Sequence, residues 1–132
     1  MKGVISNSEA DEKWAGLLRL RLPQEGFEVW NSSRDIVPGD NWLLKSGRAL
    51  QEADAMIVLL SPDSAKSDWV RSEVEYALGS PQFRDRLIPV LIKPTENIPW
   101  ILRKLQIIRA TKDTDETISR VIAALNKTPV AA

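Results

Sequence analysis

One uninterrupted apolar run, Ala55-Met56-Ile57-Val58-Leu59-Leu60, decides the fold of this 132-residue chain. Six apolar residues without alternation are typical of a strand that is covered on both faces, as in parallel sheets flanked by helices. The run ends at Ser61-Pro62, and a segment with a helical period of apolar residues follows. We therefore expect a central β-strand that leads into a helix.

Strands and helices alternate on both sides of this run. Short apolar runs that indicate strands are separated by segments with helical spacing, and turn residues such as Pro23 and Gly26 mark their ends. Five such units predict an α/β fold, a doubly wound five-stranded parallel sheet with helices on both faces. The predicted strands are residues 4–5, 27–30, 55–60, 87–92 and 106–108. The predicted helices are residues 14–22, a second one capped by Asp40, 67–79 and 114–125, and residues 98–105 are predicted to form a short helix or a turn.

The fourth predicted strand contains Pro89, whose nitrogen carries no hydrogen for a sheet ladder. We therefore expect that strand to lie at an edge or to contain a bulge. A chain of this length supports one domain with its own core. We assign residues 1–126 to that domain and expect residues 127–132 to fray.

Composition excludes several classes of function. The 18 lysines and arginines balance the 18 aspartates and glutamates, so we expect neither nucleic acid nor a membrane surface as a partner. Cysteine and histidine are both absent, which leaves carboxylates, hydroxyls, lysine and backbone for chemistry and makes a metal site unexpected. The apolar runs are too short for a signal peptide or a membrane span, so we expect a cytoplasmic protein.

The ligand site of such a sheet is expected outside the carboxyl ends of its strands. The glycines form neither a G-x-G-x-x-G fingerprint nor a phosphate-binding P-loop, which argues against a Rossmann dehydrogenase and a P-loop enzyme. A phospho-receiver domain needs an acidic pair after the first strand and an aspartate at the end of the third. Here those positions are Ser6-Asn7 and Ser61, so that interpretation fails.

Glu73 is the candidate reactive group on the helix that follows the central strand. Helical geometry places Val70 and Val74 on an apolar stripe, with Glu73 and Trp69 on its flank and Glu75 toward solvent. Burial beside an indole would raise the pKa of the Glu73 carboxyl, and the flat aromatic wall suits a sugar or a planar heterocycle. The alternative is structural, a glutamate that covers the edge of the core with its methylenes.

Several motifs, taken together in order, resemble a Toll/interleukin receptor (TIR) domain, closest to the bacterial kind. The resemblance extends from about residue 3 to 125, and it implies the five-stranded flavodoxin-like fold. The motifs that carry it are Gly26-Phe27-Glu28-Val29-Trp30, Arg34-Asp35-Ile36-Val37-Pro38-Gly39-Asp40-Asn41-Trp42, residues 53–62, Ser67-Asp68-Trp69-Val70-Arg71-Ser72-Glu73 and Leu87-Ile88-Pro89-Val90.

The resemblance also implies two functions, because some family members only associate with other TIR domains and others hydrolyse NAD at the nicotinamide bond, sometimes cyclising the product. The family's catalytic glutamate lies four residues after the tryptophan of a Ser-x-Trp motif, a position that Glu73 occupies here. Substrate contacts would then come from Ser6, Asn7, Arg34, Trp42 and Trp69. NAD+ would be the substrate, with no separate cofactor.

Family members generally work as head-to-tail assemblies, so the resemblance implies self-association, as an oligomer or filament, in immunity or host–pathogen signalling. The loop with Arg34, Asp35 and Trp42 would contact partners and act as a lid. The chain departs from the family at Ser32, where many members have aspartate, and at Asn7, where an aromatic residue or arginine is frequent.

Three hypotheses remain open at this point: an NAD-cleaving hydrolase or cyclase, a TIR–TIR interaction module without chemistry, and another glycosidic-bond enzyme such as a nucleoside deoxyribosyltransferase.

Overall fold

The computed structural model describes residues 1–31, 35–39, 41–83 and 85–127, without the side chains of residues 42, 43 and 127. The expected tail therefore lies outside the described residues, apart from the main chain of residue 127. None of the helices within the described ranges combines the length and the apolar character of a bilayer-spanning segment.

The described residues form one five-stranded, wholly parallel sheet in the order β2-β1-β3-β4-β5. The apolar run at residues 55–60 is strand β3, which lies at the centre and is buried along its whole length. This arrangement confirms the doubly wound sheet expected from the sequence. The strands are β1 (Lys2–Ser6), β2 (Glu28–Asn31), β3 (Ala55–Leu60), β4 (Leu87–Leu91) and β5 (Ile108–Arg109).

Helices connect the strands, and short 3₁₀ segments join some of them. The longer helices fall close to the predicted segments, whereas the short helix α3 between the central strand and the helix that carries Glu73 was not predicted. The helices are α1 (Glu12–Arg21), α2 (Trp42–Glu52), α3 (Pro62–Ala65), α4 (Asp68–Leu78), α5 (Trp100–Arg103) and α6 (Thr114–Lys127), and the 3₁₀ segments are Glu9–Asp11, Leu22–Glu25 and Pro81–Phe83.

The sheet separates two apolar cores because successive side chains of a strand point to opposite faces. In β1, Ile5 packs with residues of α1 and α6, whereas Val4 packs with residues of α2, α4 and α5. Ser6 follows the same alternation as Val4, so its side chain is directed to the α4 face. The alternation thus determines which helix the end of β1 contacts.

The prediction of an edge position for the strand with Pro89 was wrong, because β4 lies between β3 and β5 in continuous register. The main-chain oxygen of Arg86 and the nitrogen of Ile92 bond to β3, whereas the oxygen of Leu91 bonds to Ala110 beyond β5. By alternation the nitrogen of Pro89 points toward β5. The β5 ladder begins only at the pair Val90 and Ile108, so the missing hydrogen interrupts no bond.

The start of α2 also differs from the prediction. Asn41 occupies the N-cap position, and its side-chain oxygen accepts a 3.1 Å bond from the nitrogen of Leu44. Asp40, the predicted cap, lies outside the described residues. Asparagine satisfies a free helical N–H as well as aspartate does, so the residue that caps α2 is one position after the predicted one.

Two leucines of α1 give a matched test of the packing. Leu18 is 1% exposed and belongs to the core between α1 and α6, whereas Leu20 is 64% exposed. We expect Leu18→Ala to lower the free energy of unfolding by about 2–5 kcal/mol because it leaves a cavity, and Leu20→Ala to change it by less than about 0.5 kcal/mol. Urea denaturation followed by circular dichroism measures both, and equal losses would contradict the packing of α1.

Candidate functional site

Glu73 lies on the sheet-facing side of α4. The Ser67 side chain caps this helix by accepting a bond from the nitrogen of Val70. Val70 and Val74 are buried against the sheet, and Glu73 is only 3% exposed. Glu75 is exposed, as predicted. The carboxyl group of Glu73 is therefore buried more deeply than helix geometry alone suggested.

The hydroxyl of Ser6 holds one oxygen of this carboxyl group. Ser6 is the last residue of β1, is fully buried and donates a 2.8 Å hydrogen bond to Oε1 of Glu73. The bond joins the carboxyl end of β1 to the middle of α4. It places Glu73 at the edge of the sheet where a ligand is expected.

The second oxygen, Oε2 of Glu73, is buried and has no hydrogen-bond partner among the described residues. Burial raises the pKa of Glu73 from 4.5 to about 7, although hydrogen bonding by the side chains of Ser6 and Trp69 opposes that rise. Near neutral pH the group is thus divided between its acid and carboxylate forms. An unsatisfied buried oxygen favours a ligand that brings its own donor, such as a sugar hydroxyl.

Trp69 lies one turn before Glu73 on α4 and is half-buried. Its side chain reaches the carboxyl group closely enough to lower the pKa of Glu73. The structure therefore brings together three of the six predicted site residues, Ser6, Trp69 and Glu73.

Asn7, by contrast, is directed away from Glu73. Its Oδ1 accepts a 2.8 Å bond from Nδ2 of Asn31, and its own Nδ2 donates to the carbonyl of Ser8 at 2.7 Å. Asn31 was not singled out from the sequence. The sequence did contain a signal for Asn31. In the alternation of β2 Asn31 falls on the same face as Phe27 and Val29, which are apolar, so a polar residue at that position is unusual.

A second buried carboxyl group, Asp11, was also missed. Asp11 is 2% exposed, and its Oδ2 accepts bonds from the hydroxyls of Ser8 and Ser61, the former at 2.8 Å. These bonds tie the loop after β1 to the end of β3. Its Oδ1 has no partner among the described residues. Asp11 fixes the loop beside Ser6 and does not touch Glu73.

The predicted lid is only partly described. Arg34 and Ser32 lie outside the described residues, and Trp42 begins α2 but its side chain is not described. Oδ2 of Asp35 accepts a 2.8 Å bond from the main-chain nitrogen of Asn31, which anchors the loop to the end of β2. Pro38 and Gly39 form the predicted turn, with Gly39 at a φ of 92° that favours glycine.

A cavity of about 320 Å³ lies beside α4, and Glu73 is not among its lining residues. Val70 and Val74 of α4 line this cavity together with the segment that contains Asn97 and Pro99. The cavity and the Ser6 bond therefore lie against different parts of the α4 surface. No group of three acidic side chains suited to a metal ion occurs within the described ranges.

The titration of Glu73 gives a test of this geometry. Burial raises the pKa of Glu73 in the folded chain above its ordinary 4.5, so folding takes up a proton between pH 4.5 and about 7. The associated stability is complete below pH 4.5 and is lost as the pH rises through about 7, a change of about 3 kcal/mol.

We therefore expect Glu73→Gln, which cannot ionise, to lack this loss and to gain stability relative to the parent chain between pH 5 and 8. Thermal unfolding at stepped pH measures the difference. Glu75→Gln is the control, since Glu75 is exposed and its replacement should leave the parent profile unchanged. Parallel profiles for the parent and Glu73→Gln would show that Glu73 is not buried as described.

Comparison with known proteins places this geometry in a family. The profile of the TIR domain matches residues 4–122, and curated protein sequences give no match. The TIR domain of the Toll-related receptor TRR-2 from Hydra magnipapillata superposes with a TM-score of 0.75 at 23% identity, over 91% of this chain and 93% of that one.

Two further structures are similar. A TIR-STING receptor from C. gigas, in complex with 2',3'-cGAMP, gives a TM-score of 0.76 at 25% identity over 92% of this chain, which spans only 38% of that receptor. The structure of the RPS4 and RRS1 TIR domain heterodimer gives a TM-score of 0.65 at 15% identity. The match covers 96% of this chain and 97% of the matched chain. The match over residues 4–122 and the shared fold lead to one conclusion: this chain belongs to the TIR domain family.

Proposed function

We propose that the protein cleaves NAD+ at the bond between nicotinamide and ribose. The observation that carries the proposal is the Glu73 carboxyl group, which is buried at the carboxyl edge of the sheet and held by Ser6 through Oε1. Among the residues that the structure describes, its Oε2 has no hydrogen-bond partner. Membership of a family that includes both NAD-cleaving enzymes and adaptors supports the proposal.

One carboxylate is sufficient for this reaction. The nicotinamide of NAD+ already carries a positive charge, so it leaves without protonation when the C–N bond breaks, and the ribose passes through an oxocarbenium-like state. Water then adds to the ribose carbon and gives ADP-ribose, nicotinamide and a proton. A cyclising enzyme would instead direct a nitrogen of the adenine to the same carbon.

Glu73 has a defined part in this chemistry. Its Oε2 would accept hydrogen bonds from the ribose hydroxyls, and its negative charge would stabilise the developing cation. Because burial raises the pKa of Glu73 to about 7, the active carboxylate form becomes more abundant as the pH rises through neutrality. Bound NAD+ carries a positive charge at the ring, which favours the ionised form further.

The site is closed in this structure. Oε2 of Glu73 has no contact with solvent, so ribose reaches it only after covering groups move. We propose that the loop between β2 and α2, anchored by Asp35, provides that movement when copies of the chain associate head to tail. The RPS4 and RRS1 heterodimer is an example of association between TIR domains.

The second candidate function is a TIR–TIR interaction module without chemistry. The burial of the Glu73 carboxyl group favours this candidate. A buried glutamate that is bonded to Ser6 could have the structural role of joining α4 to β1 and no other. Val37, which is 53% exposed next to the turn at Pro38, offers an apolar contact for a partner.

Turnover of NAD+ by concentrated protein separates the two candidates. We expect free nicotinamide to appear, and Glu73→Gln to lower the rate by at least about 100-fold because the charge is lost while the shape is kept. Glu75→Gln, on the exposed side of the same helix, should retain the parent rate.

Chromatography of the products distinguishes ADP-ribose from a cyclic product, and parallel reactions with deoxynucleosides test for a deoxyribosyltransferase. Protein that is shown by light scattering to be associated, and that still releases no nicotinamide, would leave the interaction module as the function. Equal rates for Glu73→Gln and Glu75→Gln would remove Glu73 from the mechanism.

A further inference from the structure

The end of β2 carries a buried amide that the chemistry proposed above does not use. Asn31 is fully buried on the face where Phe27 and Val29 precede it in the apolar core. A polar side chain in such a place destabilises the fold unless all its hydrogen-bonding groups are satisfied. The partners of Asn31 therefore indicate why an amide occupies this position.

Every polar atom of the Asn31 side chain is in use. Its Nδ2 donates to the carbonyl of Ile5 at 2.7 Å and to Oδ1 of Asn7 at 2.8 Å. Its Oδ1 accepts a 2.7 Å bond from Nη1 of Arg19. Two acceptors face the NH₂ group and one cation faces the oxygen, so neither a carboxylate nor an apolar side chain could satisfy all three partners.

The contact with Ile5 leads directly to Glu73. The carbonyl of Ile5 belongs to the peptide bond with Ser6, and fixing that peptide fixes the direction of the Ser6 side chain. The Ser6 hydroxyl in turn donates to Oε1 of Glu73. Asn31 and Glu73 thus lie on opposite faces of the sheet and are connected through one residue of β1.

The main chain of Asn31 holds the second loop of the site. Its nitrogen donates to Oδ2 of Asp35, which anchors the segment that leads to the turn at Pro38 and to α2. The side chain of Asn31 therefore fixes the end of β1 and the loop after it, and its main chain holds Asp35 in the loop after β2. These are the two loops that flank the carboxyl edge beside Glu73.

We propose that Asn31 is a positioning residue of the site, which holds the Ile5–Ser6 peptide and the Asp35 loop so that the Ser6 hydroxyl stays directed at Glu73. The inference rests on the proposed NAD+ cleavage for its role in catalysis. The positioning itself is measurable without any reaction.

Asn31→Leu tests the proposal, since leucine has nearly the shape of asparagine without its polar atoms. We expect the loosened Ser6 bond to move the titration midpoint of Glu73 to higher pH, and we expect Ser6→Ala, which removes the bond directly, to move it in the same direction. The ¹³C signal of the Glu73 carboxyl group, assigned by its absence from Glu73→Gln, reports that midpoint. In the turnover assay we expect kcat to fall by about tenfold or more, with a smaller change in KM.

Thr117→Val is the matched control. Thr117 is fully buried in α6, far from Glu73 in the fold, and its hydroxyl accepts from the nitrogen of Thr111 and donates to the carbonyl of Asp113. Valine keeps the shape and removes both bonds. Both variants should unfold at lower temperature, but only Asn31→Leu should move the Glu73 midpoint.

The two proposals fail in different ways. A parent chain that cleaves no NAD+ ends the proposed function, and the midpoint of Glu73 still decides on the role of Asn31. A midpoint that is the same in Asn31→Leu, Thr117→Val and the parent chain overturns the positioning role. If Asn31→Leu does not fold, Arg19→Gln tests the proposal instead. This substitution removes the cation that orients the Asn31 amide, and the Arg19 side chain is partly exposed. We expect it to move the Glu73 midpoint in the same direction.

Discussion

The hydrogen bond from Ser6 to Glu73 is the constraint on which the candidate site depends. It joins the last residue of β1 to the helix that follows β3, so it depends on the parallel pairing of these two strands. The side-chain alternation of β1 directs Ser6 to the α4 face, and the period of α4 directs Glu73 to Ser6. The position of the carboxyl group thus depends on the two-residue repeat of the strand and on the 3.6-residue repeat of the helix.

The surroundings of that bond explain its chemical character. Glu73 lies on the buried face of α4 together with Val70 and Val74, and its loss of contact with water is the main cause of its raised pKa. The side chains of Ser6 and Trp69 only partly compensate for the lost solvation. A group in this state keeps a strong affinity for further donors, and that is why a buried and incompletely bonded carboxyl group is a better candidate for binding than the exposed Glu75 on the same helix.

The sequence predicts the order of the elements because the apolar run at residues 55–60 and the helical spacing of α4 are strong local patterns. It also predicts partial burial of Glu73 and its proximity to Trp69, since both depend on the repeat of one helix, but the almost complete burial of Glu73 depends on packing against the sheet. The positions of Asn31 and Asp11 could not be predicted in the same way. Some of their partners are distant in the chain: Asn7 and Ile5 are 24 and 26 residues from Asn31, and Ser61 is 50 residues from Asp11. Only the register of the strands brings these residues together.

The edges of the sheet have a consequence for how copies of this chain can associate. β5 contains only two residues, and Pro89 in the adjacent strand provides no donor on that side. An edge this short is a poor template for an additional strand, which disfavours backbone pairing between copies on this side of the sheet. An ordered assembly on the β5 side of the sheet must therefore be built from side-chain contacts between helices and loops, and its geometry can be altered by substitutions at the surface.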